Sequence, residues 1–493
     1  MAAPLLVAVA LAAAARPTSS DGAAMVPPRT IMDLQAAAGS TLGWELVNNS
    51  NLPEGRGVPG ICTGSWGTMI FGGETLETEN SDETWLLDEP GGEWQRMEYP
   101  IHPSARALPA VAPWNGGCLL FAGVFHNGMT TMFNDTWFWT PNDGWTELHP
   151  AHAPTPRFYH TLKDMSNGQL VLFGGRNQLI GAEASSLGET WIWNGTWTEL
   201  SFPGNMNLPW RRWGHAMTCG LFHTGPPTVT SAQLPNGAIE CLLFSGAQQG
   251  DDDYLDDTWL FRYQTDFTTN EVIPNSYFWE QLNDDVRPHG RWCFSIATCG
   301  SRVLMVGGST DFRLAADETW VWEPSVRAVE SASSSGHQGH WRRLYGTGPF
   351  DEIPEPRPPG AGPLRISAHA MANAGGRLGA SDILLFGGVN NQSGGLFIHK
   401  GWETSEMWRW PCTEETWPEA LIASPPAPPS PPQPPSLPPG EYNGGTHGYG
   451  PVWRGPTPGA RLEGNQRLSI NELLHQDMHQ HTLAKRARAN KAS

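Results

Sequence analysis

The chain has 493 residues and a formal net charge of −19, and it contains 24 tryptophans, 56 glycines and 44 prolines. The negative charge disfavours nonspecific binding to nucleic acid or to an anionic membrane. No stretch approaches the roughly 18 consecutive apolar residues of a membrane helix, so we expect no transmembrane segment. The glycine and proline content predicts many turns and at least one segment without a packed core.

The N-terminal residues resemble a secretory signal peptide. An apolar run from Pro4 to Ala15 ends in small residues before Arg16, which is the pattern of a cleavable leader. We expect a signal peptide over residues 1–16, a leader over 17–41, and a secreted or cell-surface protein. A plastid or mitochondrial transit peptide is the alternative, because no Lys or Arg precedes the apolar run.

A six-fold repeat follows this leader. Each copy has an apolar run that closes on two small residues and then an acidic-x-Trp run, often followed by Trp-x-x-Leu. The alternation of polar and apolar residues is typical of β-strands. With an Arg- or His-bearing run in front, each unit is interpreted as four short strands. The tryptophans that recur in the third strand are Trp85, Trp137, Trp191, Trp259, Trp320 and Trp408.

These repeats resemble the kelch motif over roughly residues 42–412. The resemblance implies an all-β protein, a six-bladed β-propeller like the central domain of galactose oxidase. The last copy has no Trp-x-x-Leu run after Trp410, whereas Trp44, Glu45 and Leu46 match that run of the second copy. We therefore expect the N-terminal strand to close the ring, with residues 415–420 as the alternative.

The repeated tryptophans are interpreted as core residues between blades. Propeller blades pack face to face, and each aromatic side chain buries on the order of 150–250 Å². A ligand-binding box would not need to recur in every copy.

Two further segments follow the propeller, which we assign to residues 42–423. Residues 424–440 are a Pro-rich linker that is expected to be extended, and their Ser-Pro-Pro pattern resembles the hydroxyproline-rich extracellular glycoproteins of plants and algae. An intracellular linker or an SH3/WW ligand is the alternative. Residues 441–493 carry seven Lys or Arg against four Asp or Glu. Ser469 and Glu472 form a capping box that predicts a short helix in this basic tail.

Histidines recur beside arginines in the first strand of several units. The pairs are Arg157 with His160, Arg212 with His215, and Arg365 with His369. In kelch propellers this strand is innermost, so a metal-binding ring of histidines is one hypothesis. A structural role is favoured, because one copy has Phe294 in place of histidine.

An acidic stretch offers a second metal hypothesis. Asp251, Asp252, Asp253 and Asp256 supply enough oxygens for calcium, although they lack EF-hand spacing, and a solvated loop is the alternative. Neither the Tyr–Cys copper site of galactose oxidase nor the E-x-x-x-D-x-x-x-H iron motif of kelch-type nitrile-specifier proteins is recognisable. We therefore assign no catalytic residue and no cofactor, and a metal-dependent enzyme ranks behind a binding protein.

Several residues are predicted to be modified in a secreted chain. Asn48 and Asn391 lie in sequons in loop-like sequence and are candidate glycosylation sites, whereas Asn134 and Asn194 fall in tight hairpins. Cys219 and Cys241 flank one insertion and are predicted to form a disulfide. The count of seven cysteines leaves at least one unpaired within the molecule.

Binding is the function that this organisation favours. Insertions at residues 220–238, 262–278, 324–340 and 389–405 all fall in the last three blades, and loops on a rigid scaffold commonly carry recognition. Phe397, His399 and Trp402 form a candidate aromatic patch for a protein or glycan ligand. The alternative is an intracellular adaptor in the cytoplasm or an organelle, although no BTB or F-box pattern is recognisable.

Overall fold

A computed structural model describes most of the propeller. The described residues are 43–75, 80–127, 129–178, 186–204, 206–220, 222, 239–248, 254–263, 273, 276–282, 286–310, 318–324, 339–346, 362–363, 366–374, 382–390 and 403–412. Within them the regular secondary structure is β-strand, and no helix there is long and apolar enough to cross a membrane. The Pro-rich linker, the basic tail, the leader and the signal-like run lie outside the described residues.

Twenty-eight strands are formed by the described residues. The first half of the chain contains β1 (Glu45–Val47), β2 (Arg56–Gly57), β3 (Gly60–Gly64), β4 (Gly67–Phe71), β5 (Glu74–Thr75), β6 (Thr84–Leu87), β7 (Gln95–Met97), β8 (Ala110–Trp114), β9 (Gly117–His126), β10 (Thr130–Thr140), β11 (Gly144–Leu148), β12 (Thr161–Asp164), β13 (Leu170–Phe173), β14 (Thr190–Trp193) and β15 (Trp197–Glu199). The second half contains β16 (Ala216–Gly220), β17 (Glu240–Phe244), β18 (Thr258–Arg262), β19 (Phe278–Leu282), β20 (Ser295–Cys299), β21 (Arg302–Val306), β22 (Thr319–Pro324), β23 (Gly339–Tyr345), β24 (Ile366–Ser367), β25 (Ala370–Asn373), β26 (Ile383–Phe386), β27 (Val389–Asn390) and β28 (Met407–Trp410).

Six four-stranded antiparallel sheets form the blades. From the innermost strand outward, blades one to five are β3-β4-β6-β7, β8-β9-β10-β11, β12-β13-β14-β15, β16-β17-β18-β19 and β20-β21-β22-β23. Blade six is β25-β26-β28-β1, and β2-β5 and β24-β27 are short ribbons beside the blades. The predicted six-bladed all-β propeller is confirmed.

The ring closes with the N-terminal strand, as the sequence predicts. Strand β1 pairs antiparallel with β28, with Glu45 opposite Arg409, Leu46 opposite Trp408 and Val47 opposite Met407. This pairing covers the outer edge of β28, which would otherwise present unpaired backbone groups. The first and last described segments are thereby held in one sheet.

The connections between strands define two faces of the propeller. The hairpin face holds the turns between first and second strands and between third and fourth strands of each blade. The diglycine face holds the connections between second and third strands, where the paired small residues lie, and the connections from one blade to the next. The innermost strands run from the diglycine face toward the hairpin face.

The core lies between neighbouring blades. The second strands are buried apart from one or two end residues in β4, β9 and β21, and Leu119, Leu120 and Phe121 of blade two are each 0% exposed. Trp137 of blade two packs with Met69 and Phe71 of blade one. The aromatic residues of the repeat therefore fill the space between sheets, where their burial stabilises the ring.

Candidate functional site

Five blades carry a buried arginine just before the innermost strand. Each guanidinium donates to the carbonyl at the start of the small-residue pair in its own blade. Each also lies within 3.4 Å of the acidic residue that directly precedes the threonine of the third strand. The five arginines are fully buried apart from Arg157, whose side chain is 1% exposed; they are Arg56, Arg106, Arg157, Arg212 and Arg291. Because these guanidinium groups bind the backbone and the acidic residue of their own blades, we interpret these cations as structural.

In the pair Arg212–Asp257 the contact is bidentate and both side chains are buried. Nη1 lies 2.6 Å from Oδ1 and Nη2 lies 2.8 Å from Oδ2. Burial alone would raise the pKa of Asp257, but the Arg212 charge and hydrogen bonds from Arg212 and Trp259 hold that pKa below its ordinary value. Asp257 is thus a buried carboxylate that stays ionised.

Blade six departs from this pattern. The backbone N–H of Gly308 donates to the carbonyl of Ile366, just as Gly246 donates to Arg291 one blade earlier. Ile366 therefore holds the position of the buried arginine, and the sequence alignment that placed Arg365 there was wrong by one residue. Arg365 itself lies outside the described residues.

The channel histidines pack as aromatic rings. His160 contacts Phe121 of the preceding blade at 5.7 Å between ring centroids, and His215 contacts Phe173 at 5.4 Å. Phe294 makes the same contact with Phe244 at 5.9 Å. Burial lowers the pKa of His215 and His369 to about 3, so both rings are neutral at pH 7. Across the described residues, no three His, Cys, Asp or Glu side chains are grouped to hold a metal ion.

Most of the predicted loop sites lie outside the described residues. These are Phe397, His399, Trp402, Asn391 and three of the four candidate calcium ligands, Asp251, Asp252 and Asp253. The fourth, Asp256, accepts a hydrogen bond from Nε of Arg287 at 3.0 Å. Asn48 is exposed directly after β1.

Six of the seven cysteines are paired. Cys219 and Cys241 lie opposite each other on β16 and β17 and are disulfide-bonded. Sequence reasoning missed two further bonds, Cys62–Cys118 and Cys299–Cys412, which join blade one to blade two and blade five to blade six. Their separations of 56 and 113 residues gave no local signal, although aligning the blades would have placed each pair on facing sheets.

The seventh cysteine is buried near the propeller axis. Cys293 is free, and its Sγ lies 3.6 Å from the Tyr159 hydroxyl. Burial raises the pKa of this thiol to about 12. Because the thiolate is the reactive form, Cys293 is chemically inert at neutral pH.

Exposed apolar side chains concentrate on the diglycine face. Of the seven large exposed hydrophobic residues in the described part of the chain, five belong to connections of that face: Leu52, Ile101, Met129, Leu208 and Trp210. Trp210 is 64% exposed and Met129 is 78% exposed. Among these residues Trp210 points most clearly to a contact surface, because a tryptophan side chain is usually largely buried.

A groove lies beside Trp210 in the chain, between blades three and four. It encloses about 480 Å³. Phe202 and Leu208 supply apolar wall, while Glu189, Glu199 and Arg211 supply charged groups. The Glu189 carboxylate forms an ion pair with Arg157, with Oε2 3.4 Å from Nη1. Glu199 is exposed. The groove, together with Trp210 and Leu208, is named the 3/4 groove.

A kelch-repeat protein and a solved structure are among the proteins that this chain resembles. The F-box/kelch-repeat protein At1g51550 of Arabidopsis thaliana is 26% identical over 349 residues, which cover 65% of this chain and 63% of that protein. The match thus spans less than two thirds of the relative. The solved structure of YjhT covers 73% of this chain and 95% of its own at 14% identity, with a TM-score of 0.47. No protein-family model matches the chain.

Six repeats in register and six four-stranded blades, together with the kelch-repeat relative, define the class of protein. The chain is a six-bladed β-propeller, and its repeats are similar to those of a kelch-repeat protein.

Proposed function

We propose that this propeller is a non-catalytic scaffold that binds a partner protein on its diglycine face, with the 3/4 groove as the contact. The observation that carries the proposal is the 64% exposure of Trp210 beside that groove. Tryptophan is enriched among the residues that dominate binding energy at protein interfaces.

The charges of the groove suit a partner that carries charges of both signs. An apolar wall with the exposed Glu199 and the exposed Arg211 suits an apolar side chain that has a basic and an acidic residue near it. The net charge of −19 would also attract a basic protein over a distance. A protein segment is proposed rather than a glycan, because Phe202 and Leu208 in the groove and the exposed Trp210 next to it offer apolar contact.

The four insertions predicted to bind a partner connect strands on different faces of the propeller. Those at 220–238, 262–278 and 324–340 connect strands on the hairpin face, because each joins first to second or third to fourth strands. The insertion at 389–405 joins second to third strands of blade six and belongs to the diglycine face. It therefore remains a second candidate contact on the same face as the 3/4 groove.

Secretion is part of the proposal. The signal-like run at residues 4–15 supports it, as do three disulfides that take up six of seven cysteines, since such bonds persist in oxidising compartments. Under denaturing, non-reducing conditions, a thiol-alkylating reagent should add to one cysteine of the protein isolated from its source. Labelling of all seven would instead favour the intracellular adaptor.

Partner capture from the same compartment tests the binding surface. The full chain is compared with Trp210→Ala, with Leu208→Ala, and with the matched control Met129→Ala, which removes an exposed apolar side chain elsewhere on the same face. A protein captured by the full chain and by the control, but lost from both groove variants, supports the proposal. Retention by all variants contradicts it. Loss only when residues 391–402 are deleted would assign recognition to blade six.

A further inference from the structure

The lysines of this chain are distributed unevenly. There are four, at positions 163, 400, 485 and 491, so Lys163 is the only one before residue 400. The buried cations of the repeat are all arginines, which suit paired, bidentate contacts. Lys163, by contrast, is half-buried and lies on the innermost strand of blade three.

Lys163 faces a part of the central channel that the other blades leave open. Counting along the innermost strands from their aligned starts, the equivalent residues all have small side chains: Cys62, Ala112, Thr218, Ala297 and Ala372. The channel contains a cavity of about 170 Å³ and, nearer the hairpin face, another of about 80 Å³. Lys163 lines both of them.

The diglycine end of this channel is closed by backbone and apolar side chains. The N–H of Val58 donates to the carbonyl of Ala368 at 2.6 Å, and the N–H of Ala368 donates to the carbonyl of Cys293 at 2.8 Å. Val58, Cys293 and Ala368 pack there with Tyr159 in one buried cluster. Access to Lys163 is therefore from the hairpin face, away from the 3/4 groove.

Lys163 has no counter-ion in the described part of the chain. No ion pair within 4.0 Å joins it to a carboxylate there. The other titratable groups that line the two cavities are Asp164, Tyr159, His160, His215, His369 and Cys293. The Asp164 carboxylate accepts hydrogen bonds from the backbone N–H of Ser166 at 2.8 Å and from its hydroxyl at 3.5 Å.

The remaining groups on that wall are uncharged at neutral pH. Burial lowers the pKa of the three histidines and raises the pKa of Tyr159 and of Cys293. Burial also lowers the pKa of Lys163 to about 8. Since this value lies above 7, the amine is still mainly protonated at pH 7. A cation removed from bulk water is stabilised when it is paired.

We propose that the central channel is a binding site for a small free oxyanion, of carboxylate or phosphate type, with the Lys163 ammonium as its positive group. The larger cavity has room for such an ion with a few waters, since one water occupies about 30 Å³ in the liquid. It is too narrow for a peptide segment. This site is separate from the proposed partner surface and does not depend on it.

Binding of inorganic phosphate and of acetate to the full-length protein tests the site. Both are titrated calorimetrically at pH 7 in low-chloride buffer of constant ionic strength. Lys163→Ala is the diagnostic variant, and it should fold because three other blades have alanine at this position. Arg96→Gln is the matched control, because it removes a positive charge from an exposed residue on the outermost strand of blade one.

The expected result is saturable binding of at least one of the two ions by the wild type and by Arg96→Gln. Lys163→Ala should weaken that binding by at least about tenfold, as expected for loss of a charge-assisted hydrogen bond. Absence of saturable binding to the wild type, or equal affinity in Lys163→Ala, overturns the proposal.

A second measurement on the wild type does not depend on a variant that folds. Acylation of Lys163 by an amine-selective reagent is followed by peptide mass spectrometry, with and without the bound ion. The ion should slow acylation of Lys163 and leave the rates at Lys485 and Lys491 unchanged. Equal rates at Lys163 with and without the ion contradict the proposal.

Discussion

Trp145 in the outer strand of blade two donates its indole N–H to the Thr84 hydroxyl of blade one at 2.9 Å. The same contact recurs around the ring at 3.0–3.3 Å, in the pairs Trp197–Thr136, Trp279–Thr190, Trp341–Thr258 and Trp44–Thr319. At the sixth interface Met407 replaces the threonine, and Nε1 of Trp94 has no hydrogen-bond partner in the described structure. Each outer strand is thus tied to the third strand of the preceding blade, except where the ring closes.

Thr84→Val should therefore destabilise the propeller. The substitution keeps the shape of the side chain but leaves the buried indole N–H of Trp145 without an acceptor, which costs about 1–3 kcal/mol. Urea denaturation followed by tryptophan fluorescence measures the change. Met407→Leu is the control at the equivalent position, where Trp94 makes no indole hydrogen bond in the described structure. It removes only the contact of Asn49 Nδ2 with Met407 Sδ at 3.1 Å, and thioether sulfur is a weak acceptor, so this volume-conserving change should cost less than about 1.5 kcal/mol. Equal effects of the two variants would contradict this account.

Asp257→Asn should be far more damaging than the same change one residue earlier. It removes the charge that pairs with the fully buried Arg212 and with the indole of Trp259, and breaking a buried ion pair costs about 3–5 kcal/mol. Asp256 pairs with Arg287 while both side chains are 29% exposed, so Asp256→Asn should cost less than about 1 kcal/mol. Urea midpoints that differ little between the two variants would refute the structural role of the Arg212–Asp257 pair.

His369→Phe should flatten the dependence of stability on pH. Burial lowers the pKa of His369 in the folded chain to about 3, whereas an exposed histidine titrates near 6.5. Between pH 6.5 and about 3, this histidine binds a proton in the unfolded chain but not in the folded chain. The free energy of unfolding therefore decreases as the pH falls from about 6.5 toward 3. The slope is up to about 1.4 kcal/mol per pH unit for one such group.

Phenylalanine is a suitable replacement, because Phe294 holds the equivalent position in blade five. Unfolding free energies of His369→Phe and of the wild type should differ by a constant amount above pH 7, and below it the wild type should lose stability relative to the variant. Parallel curves from pH 7.5 to 4.5 would show that His369 is protonated in the folded chain as well.

The fold could be predicted because its determinants recur in every unit. The third-strand tryptophans and the small-residue pairs mark strands that lie at the same place in each blade, and Trp44 revealed the closing strand by matching Trp145. The buried arginine could be found only in part. Arg56 and Arg106 are followed by Val58-Pro59 and Leu108-Pro109 rather than by a histidine, so a search for Arg with His missed them. The structure shows that arginine alone is the element shared by blades one to five.

The candidate sites were harder to predict, since they depend on contacts between repeats. The 3/4 groove combines Glu189 and Glu199 with Leu208 and with Trp279 of the next blade, and no local pattern links residues so far apart. Lys163 is different. Its isolation as the only lysine before residue 400 is visible in the sequence, but its place in a channel lined by small residues needs the aligned blades.

Gly308→Ala tests why the second residue of the small-residue pair is glycine in all six blades. Gly308 has φ +93°, and an added Cβ would lie 2.7 Å from Cβ of Phe294 and 3.0 Å from the carbonyl oxygen of Trp292. Gly168 in the turn between β12 and β13 has a similar φ of +82°, but nothing lies within 4 Å of its added Cβ. Gly168→Ala should therefore cost only the backbone strain of a left-handed residue, about 1–2 kcal/mol. Gly308→Ala should cost that amount plus about 1–3 kcal/mol for overpacking against the neighbouring strand, and equal urea midpoints would show that backbone conformation alone selects glycine there.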